Sequence, residues 1–266
     1  MKINQNQCTM KKVFLVFAAI AFVIACSKDE TTTLPTSQIL NPQKVQWGLC
    51  IEYTATWCGP CGNWGAPLAH EVYNMGKVAV IACHVSNDPM YDATLYSSLT
   101  NDRSTGGGVP AFWMGDTKTS SSSAMTQLLT KIPDASVDLT YSISNGKMKV
   151  NTRSKFFNAV SGDYYLSVFV LEDGIDGSST AGDYTQNGVS NPTTYKHDFV
   201  LRASATSNCY GEQIATGSIA ANKSIDKSYE ITLKSDWKKT LYPCAVLWKK
   251  ETGTPAYKYV NAIYKK

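Results

Sequence analysis

The sequence predicts two folded units in series, an α/β domain over residues 45–133 and an all-β antiparallel sandwich over residues 134–266. Three observations predict this. Strand-like and helix-like apolar patterns alternate up to Pro133, which is the signature of a small sheet with helices on its faces. Beyond Pro133 the period drops to two, with short β-branched and aromatic runs separated by turn residues. Finally, Trp57-Cys58-Gly59-Pro60-Cys61 stands where an apolar strand hands over to a helix.

In order, residues 45–54 read as a first strand, 62–75 as a helix and 78–85 as a second apolar strand. Residues 90–101 follow Asp88-Pro89 as a short helix, 111–114 form a strand, and 124–132 a closing helix capped from Ser120–Ser123. Gly115-Asp116 supplies a turn from which 117–119 pairs back as a hairpin. In the second half the strands are 137–142, 147–153, 164–171, 195–201, 228–233, 245–249 and 257–263. Asn145-Gly146, Asp173-Gly174 and Gly253 punctuate them. The Gly-, Ser-, Thr- and Asn-rich stretch 176–194 reads as a long loop with a surface or contact role.

The N-terminus is a targeting segment rather than part of the fold. Lys11-Lys12 precedes an uninterrupted apolar run from Val13 to Ala25, too short to span a bilayer and the right length for a signal-peptide core. It ends in Val23-Ile24-Ala25-Cys26, which resembles a bacterial lipobox. Residues 1–25 are therefore expected to be removed, Cys26 lipidated, and 26–44 to act as a tether. Ser27-Lys28-Asp29-Glu30 resembles a signal that sends lipoproteins of some Gram-negative bacteria to the outer membrane surface. The expected location is the cell envelope, with the lipid as the membrane attachment.

Charge narrows the partners. Of 25 Lys and Arg, three (Lys2, Lys11, Lys12) lie in the removed segment, leaving 22 against 21 Asp and Glu. A nearly neutral chain without a basic block is not built for nucleic acid. With Cys26 acylated, six cysteines remain beyond the signal. Cys50 and Cys83 lie in apolar strands and are expected as buried free thiols. Cys209 and Cys244, outside the first domain and without local partners, are expected to form a structural disulfide.

Cys58 and Cys61 carry the chemistry. Two cysteines at this spacing close and reopen a small disulfide, and a helix N-terminus at the first sulfur favours its thiolate. Zinc also uses such pairs, but it needs two further ligands, and no second pair or paired His follows. No cofactor is implied. Glu52 sits on the strand face opposite Leu49, Ile51 and Tyr53, where burial would raise its pKa toward the operating range of a base.

The first domain thus resembles the thioredoxin superfamily. The string Trp57–Cys61 is that of the thioredoxin active site, Glu52 stands where thioredoxins place a buried acid, and Gly108-Val109-Pro110 precedes a strand as the family's cis-proline does. The resemblance implies that Cys58 attacks a substrate disulfide, Cys61 resolves it, Glu52 accepts a proton, and Pro110 packs against the pair. It departs at Ala66, where the family helix has proline; Pro67 follows instead, and Gly62 and Gly65 weaken this helix.

Over its whole length the chain is similar to outer-membrane-protein-28-like lipoproteins. Cys83–Tyr91, Gly107–Ala111 and His197–Arg202 carry that likeness. Two functions follow as expectations: a lipid-anchored oxidoreductase acting on protein thiols and disulfides, served by an electron donor that the motif does not specify, or a surface binding and adhesion lipoprotein using the same scaffold.

Overall fold

β1 (Gly48–Thr54) is the strand around which the site is built, and all seven of its residues are buried. Leu49, Ile51 and Tyr53 face one core and Cys50 the other, so the strand is covered on both sides. It pairs in parallel with β2 (Val78–His84) and antiparallel with β3 (Ala111–Met114), to which β4 (Thr117–Lys118) returns as the hairpin expected from Gly115-Asp116. The computed structural model describes residues 39–177, 184–237 and 239–266. The signal segment 1–25, the lipidation position Cys26, most of the tether and residues 178–183 of the long loop lie outside the described residues.

Three α-helices are described. A helix begins at Gly59, passes through a π-helical turn at Cys61–Gly65 and continues as α1 (Ala66–Asn74). α2 (Ala93–Thr100) starts at Asp92, whose carboxylate accepts the Thr94 and Leu95 amides, so the helix begins later than Asp88-Pro89 suggests. α3 (Ser123–Leu129) closes the first half. α1 and α3 cover one face of β1–β3 through Leu68, Val72, Met125 and Leu128. Leu95 and Leu99 of α2 lie on the other.

The second half adds β5 (Ala135–Ser144), β6 (Lys147–Phe156), β7 (Val160–Ser161), β8 (Asp163–Asp173) and β9 (Ile175–Asp176). β10 (Lys196–His197), β11 (Val200–Ser204), β12 (Glu212–Ala215) and β13 (Ser218–Ile219) follow. β14 (Ser224–Thr232), β15 (Thr240–Lys250) and β16 (Tyr257–Tyr264) end the chain. Asn145 and Gly146, with φ of 51° and 70°, make the tight β5–β6 turn that their sequence predicts.

The expected fold class, an α/β thioredoxin-like domain followed by an all-β sandwich, is overturned by how these strands pair. Among the described residues strand far outweighs helix, and strands of both halves share one mixed nine-stranded sheet in the order β16-β15-β8-β11-β2-β1-β3-β4, with β12 also on β8. The junction is β11, parallel to β2 through Val200 and Ala82 and antiparallel to β8. The Ala82 amide donates to the Phe199 carbonyl at 2.8 Å. β2 would otherwise leave a bare edge of apolar strand, and β11 covers it. A two-layer β arrangement does exist locally. The three-stranded sheet β14-β6-β5 packs Val137, Leu139, Met148 and Val150 onto Leu166, Val168 and Val170 of β8.

Cys50, Cys83, Cys209 and Cys244 are all free and buried. The disulfide expected between Cys209 and Cys244 is therefore corrected. Cys209 is held against α2, its amide accepted by Ser98 Oγ at 2.8 Å and its Sγ 3.6 Å from the Leu95 carbonyl. Cys244 sits mid-strand in β15, opposite Phe169 and Tyr264. Each packs as a small hydrophobe in the core.

Arg103 binds the two halves together. It is 0% exposed, between Asp102 at 2.8 Å and Asp116 at 2.7 Å, and donates to the carbonyls of Gly115 and Tyr257. Its guanidinium lies 4.6 Å from the Trp248 ring centroid. Removing one partner of a buried charge cluster strands the others. Arg103→Leu should lower stability by about 3–5 kcal/mol, read as a fall in the urea midpoint. An unchanged midpoint would refute the assignment.

Candidate active site

The site grows from the end of β1. The chain turns over Ala55–Cys58, with the Cys58 amide donating to the Ala55 carbonyl at 3.2 Å. The helix then starts, and its first free amides meet a sulfur: the Cys61 N–H donates to Cys58 Sγ at 3.1 Å. Cys58 thus stands at the helix N-terminus, where backbone donors and the helix dipole stabilise negative charge. Cys58 and Cys61 are joined as a disulfide, and both are buried.

Sequence reasoning places Glu52, Cys58, Cys61 and Pro110 together, and the structure assembles them. The Val109–Pro110 bond is cis, and Cys58 Sγ lies 3.6 Å from the Val109 carbonyl oxygen. The position that a Cβ on Gly65 would occupy is 3.0 Å from Pro110 Cβ and 3.2 Å from Glu52 Oε1. Gly65 lies four residues after Cys61 in the π-helical turn, so the two share a helix face. That face presses on Pro110 and the carboxyl together. The glycine that weakens the helix is the residue that permits this approach.

Glu52 is fully enclosed, and Oε1 has no hydrogen-bond partner. Burial pushes its pKa up to about 8, against the opposing hydrogen bond of Thr54. Its other titratable neighbours are Cys50 and Tyr195, both also raised by burial first and by Glu52 second. A buried carboxyl with a raised pKa and an unpartnered oxygen is the kind of group from which proton-transfer sites are built.

A second buried polar group supports the turn from behind, and the sequence reading did not assign it. Asp88 accepts the Thr56 amide at 2.6 Å and the Met90 amide at 2.7 Å. His84 Nδ1 lies 3.0 Å from Asp88 Oδ1, off the line of a good hydrogen bond. Burial raises the Asp88 pKa, but His84 and the two amides outweigh it and hold it at about 2. His197, whose ring lies 5.8 Å from that of His84, is pushed down to about 4 by burial and then by His84. The spacing of His84 and Asp88 at the end of an apolar strand is the signal that would have found this group.

Two open grooves meet at Val109. One, about 520 Å³, is lined by Pro60, Trp64, Thr105, Gly108, Val109 and Pro110. The other, about 500 Å³, is lined by Trp57, Val85, Tyr96, Gly107 and Val109. Trp113, by contrast, is core. Among the described residues no group of three or more His, Cys, Asp or Glu is placed to hold a metal ion.

No family model matches the chain, and no curated protein matches it. Among solved structures it is similar to HBP35 of Porphyromonas gingivalis, with a TM-score of 0.67 at 16% identity, covering 85% of this chain and 76% of that one. The two share a fold across most of their lengths, and that fold is the mixed-sheet architecture described above. Spo0M, a sporulation control protein of Bacillus subtilis, matches with a TM-score of 0.30 at 14% identity over 50% of this chain and 48% of that one. A β-glucosidase of Kluyveromyces marxianus matches with 0.23 at 11% over 50% and 14%.

Glu52 makes stability depend on pH. Its carboxyl ionises near 4.5 in the unfolded chain and near 8 in the folded one, so the folded state holds the extra proton between those values. This contribution falls as pH rises from about 4.5 to about 8. Glu52→Gln should flatten that slope and at pH 8 exceed the parent in stability by on the order of 4 kcal/mol. Urea midpoints measured from pH 5 to 8 check this, and parallel slopes in the two proteins would contradict it.

Proposed function

We propose that this chain is a thiol–disulfide oxidoreductase acting on cysteines of other proteins, with Cys58 as the attacking sulfur and Cys61 as the resolving one. The observation that carries the reading is the Cys58–Cys61 pair at the N-terminus of a helix whose Gly65 lies against a buried carboxyl with an unpartnered oxygen.

From the oxidised pair, a substrate thiolate attacks Cys58 Sγ. The new S–S bond forms as the Cys58–Cys61 bond breaks, and Cys61 leaves as a thiolate that takes the proton held by Glu52. A second substrate thiolate then attacks the substrate sulfur of the mixed disulfide and releases Cys58 as a thiolate, which the helix N-terminus stabilises. Two electrons pass from the substrate dithiol to the pair, and the substrate becomes a disulfide. Run backward, the same steps reduce a substrate disulfide, with ionised Glu52 accepting the Cys61 proton. The potential of the partner sets the direction. A polypeptide lying along the grooves beside Val109 would present its sulfur to Cys58, with Trp57 and Trp64 as exposed apolar contacts.

Cys58→Ser should reduce insulin-disulfide turnover in the presence of dithiothreitol to background, and Cys61→Ser should accumulate a mixed disulfide with the substrate. Glu52→Gln should slow turnover roughly 100-fold. Full turnover by Cys58→Ser would end the enzyme reading.

The proposed location is the cell envelope, through a lipid on Cys26. Support comes from the apolar run 13–25 and the cysteine directly after a small residue. In a Gram-negative host, labelled fatty acid should enter the full-length chain and not Cys26→Ala. Equal labelling of both would sink the proposal.

A further inference from the structure

The segment Tyr184–Val189, contributed by the long loop of the second half, lies directly over the turn that carries Cys58. Four successive carbonyls of that turn take their donors from two adjacent residues. Gln186 Nε2 donates to Ala55 O at 3.2 Å and Cys58 O at 3.1 Å. The Asn187 backbone N–H donates to Thr56 O at 2.8 Å, and Asn187 Nδ2 to Trp57 O at 3.0 Å. Gln186 Nε2 also lies 2.9 Å from the Asn187 carbonyl, within the same segment.

Gln186 is only 3% exposed, so no bulk water replaces its amide. The fit is cut into both backbones. A Cβ on Gly62 would stand 2.1 Å from the Asn187 carbonyl oxygen, and one on Gly188 would stand 1.9 Å from that of Gly59. Gly188 has φ of +82°, a conformation open to glycine. The Gln186 and Asn187 donors that reach the turn all go to its main-chain carbonyls, so this strap reads the shape of the turn and not its side chains.

We propose that Gln186 is a positioning residue for the exchange reaction: by fixing the Ala55 and Cys58 carbonyls it aims Cys58 Sγ at the helix N-terminus and raises the fraction of Cys58 that is thiolate. The inference rests on the exchange reading above. Without the amide, the Cys58 carbonyl keeps its bond from the Gly62 N–H at 3.3 Å but loses its fixed direction. The positive end of the amide dipole next to Cys58 is lost as well. Both changes disfavour the anion.

The test is the pH dependence of Cys58 alkylation by iodoacetamide in the reduced, folded protein, read by mass at the Cys58 peptide. The four described cysteines outside the pair, Cys50, Cys83, Cys209 and Cys244, are buried and serve as a folding control. Gln186→Met keeps the length and apolar volume of the side chain and removes the donor. It should move the Cys58 titration up by about 0.5–1 unit and slow alkylation at pH 6 by about 3–10-fold. Asn187→Ala removes one exposed side-chain donor, so folding should survive, and it should shift the titration the same way by less. A folded Gln186→Met that titrates with the parent overturns the inference. If Gln186→Met does not fold, an unshifted Asn187→Ala overturns it instead. Parent Cys58 titrating as an ordinary thiol overturns the exchange reading and this inference together, so the two failures are distinguishable.

Discussion

Arg103 carries a full charge at 0% exposure, and the sheet closes around it only because each direction its guanidinium faces is filled. Asp102 and Asp116 supply opposite charge, two carbonyls supply acceptors, and the Trp113, Tyr210 and Trp248 rings lie within 6 Å of it. The same carboxylates then reach across the sheet. Asp102 accepts the amides of Ala256 and Tyr257, and Asp116 that of Tyr259. The Arg103 carbonyl accepts the Tyr53 hydroxyl at 2.6 Å, which connects the knot to the strand that ends at the turn carrying Cys58. Isolated buried ions are costly, so such a cluster persists only when all its members are in place. That requirement locks β16 to the loops of the first half.

The site was readable where its information is local. Cys58 and Cys61 declare themselves by spacing, Glu52 by strand alternation, and Pro110 by the residues around it. What the sequence conceals is the pairing of distant segments. A period of two marks 195–201 as strand but says nothing of its neighbour, and one register pair, Val200 with Ala82, joins the halves. For the same reason the sequence pointed to two folds in series instead of one shared sheet. Arg103 resembles any loop arginine until its three rings and two acids come from four places in the chain.

Cysteine arithmetic misled for a related reason. Cys209 and Cys244 were matched because each lacked a local partner, whereas a buried thiol needs none. Gly62 and Gly65 show the opposite error, that of reading a residue by helix propensity alone. Each loses helix stability on that scale, yet one admits the Asn187 carbonyl and the other admits Pro110 and Glu52. Close approach of backbones outweighs propensity at both positions.

Gln186 follows Ala55 by 131 residues. In a chain made from its N-terminus, the two cysteines and their helix exist long before the strap does. Through that interval the Ala55 and Cys58 carbonyls have only the local Cys58 and Gly62 amides, the donors from Gln186 and Asn187 are absent, and the full ordering of the turn waits on the closure of a very long loop. On the positioning role proposed for Gln186, the reactivity of the pair is a property of the completed molecule. A nascent or truncated chain displays the same five-residue string without the donors that hold it in the finished fold.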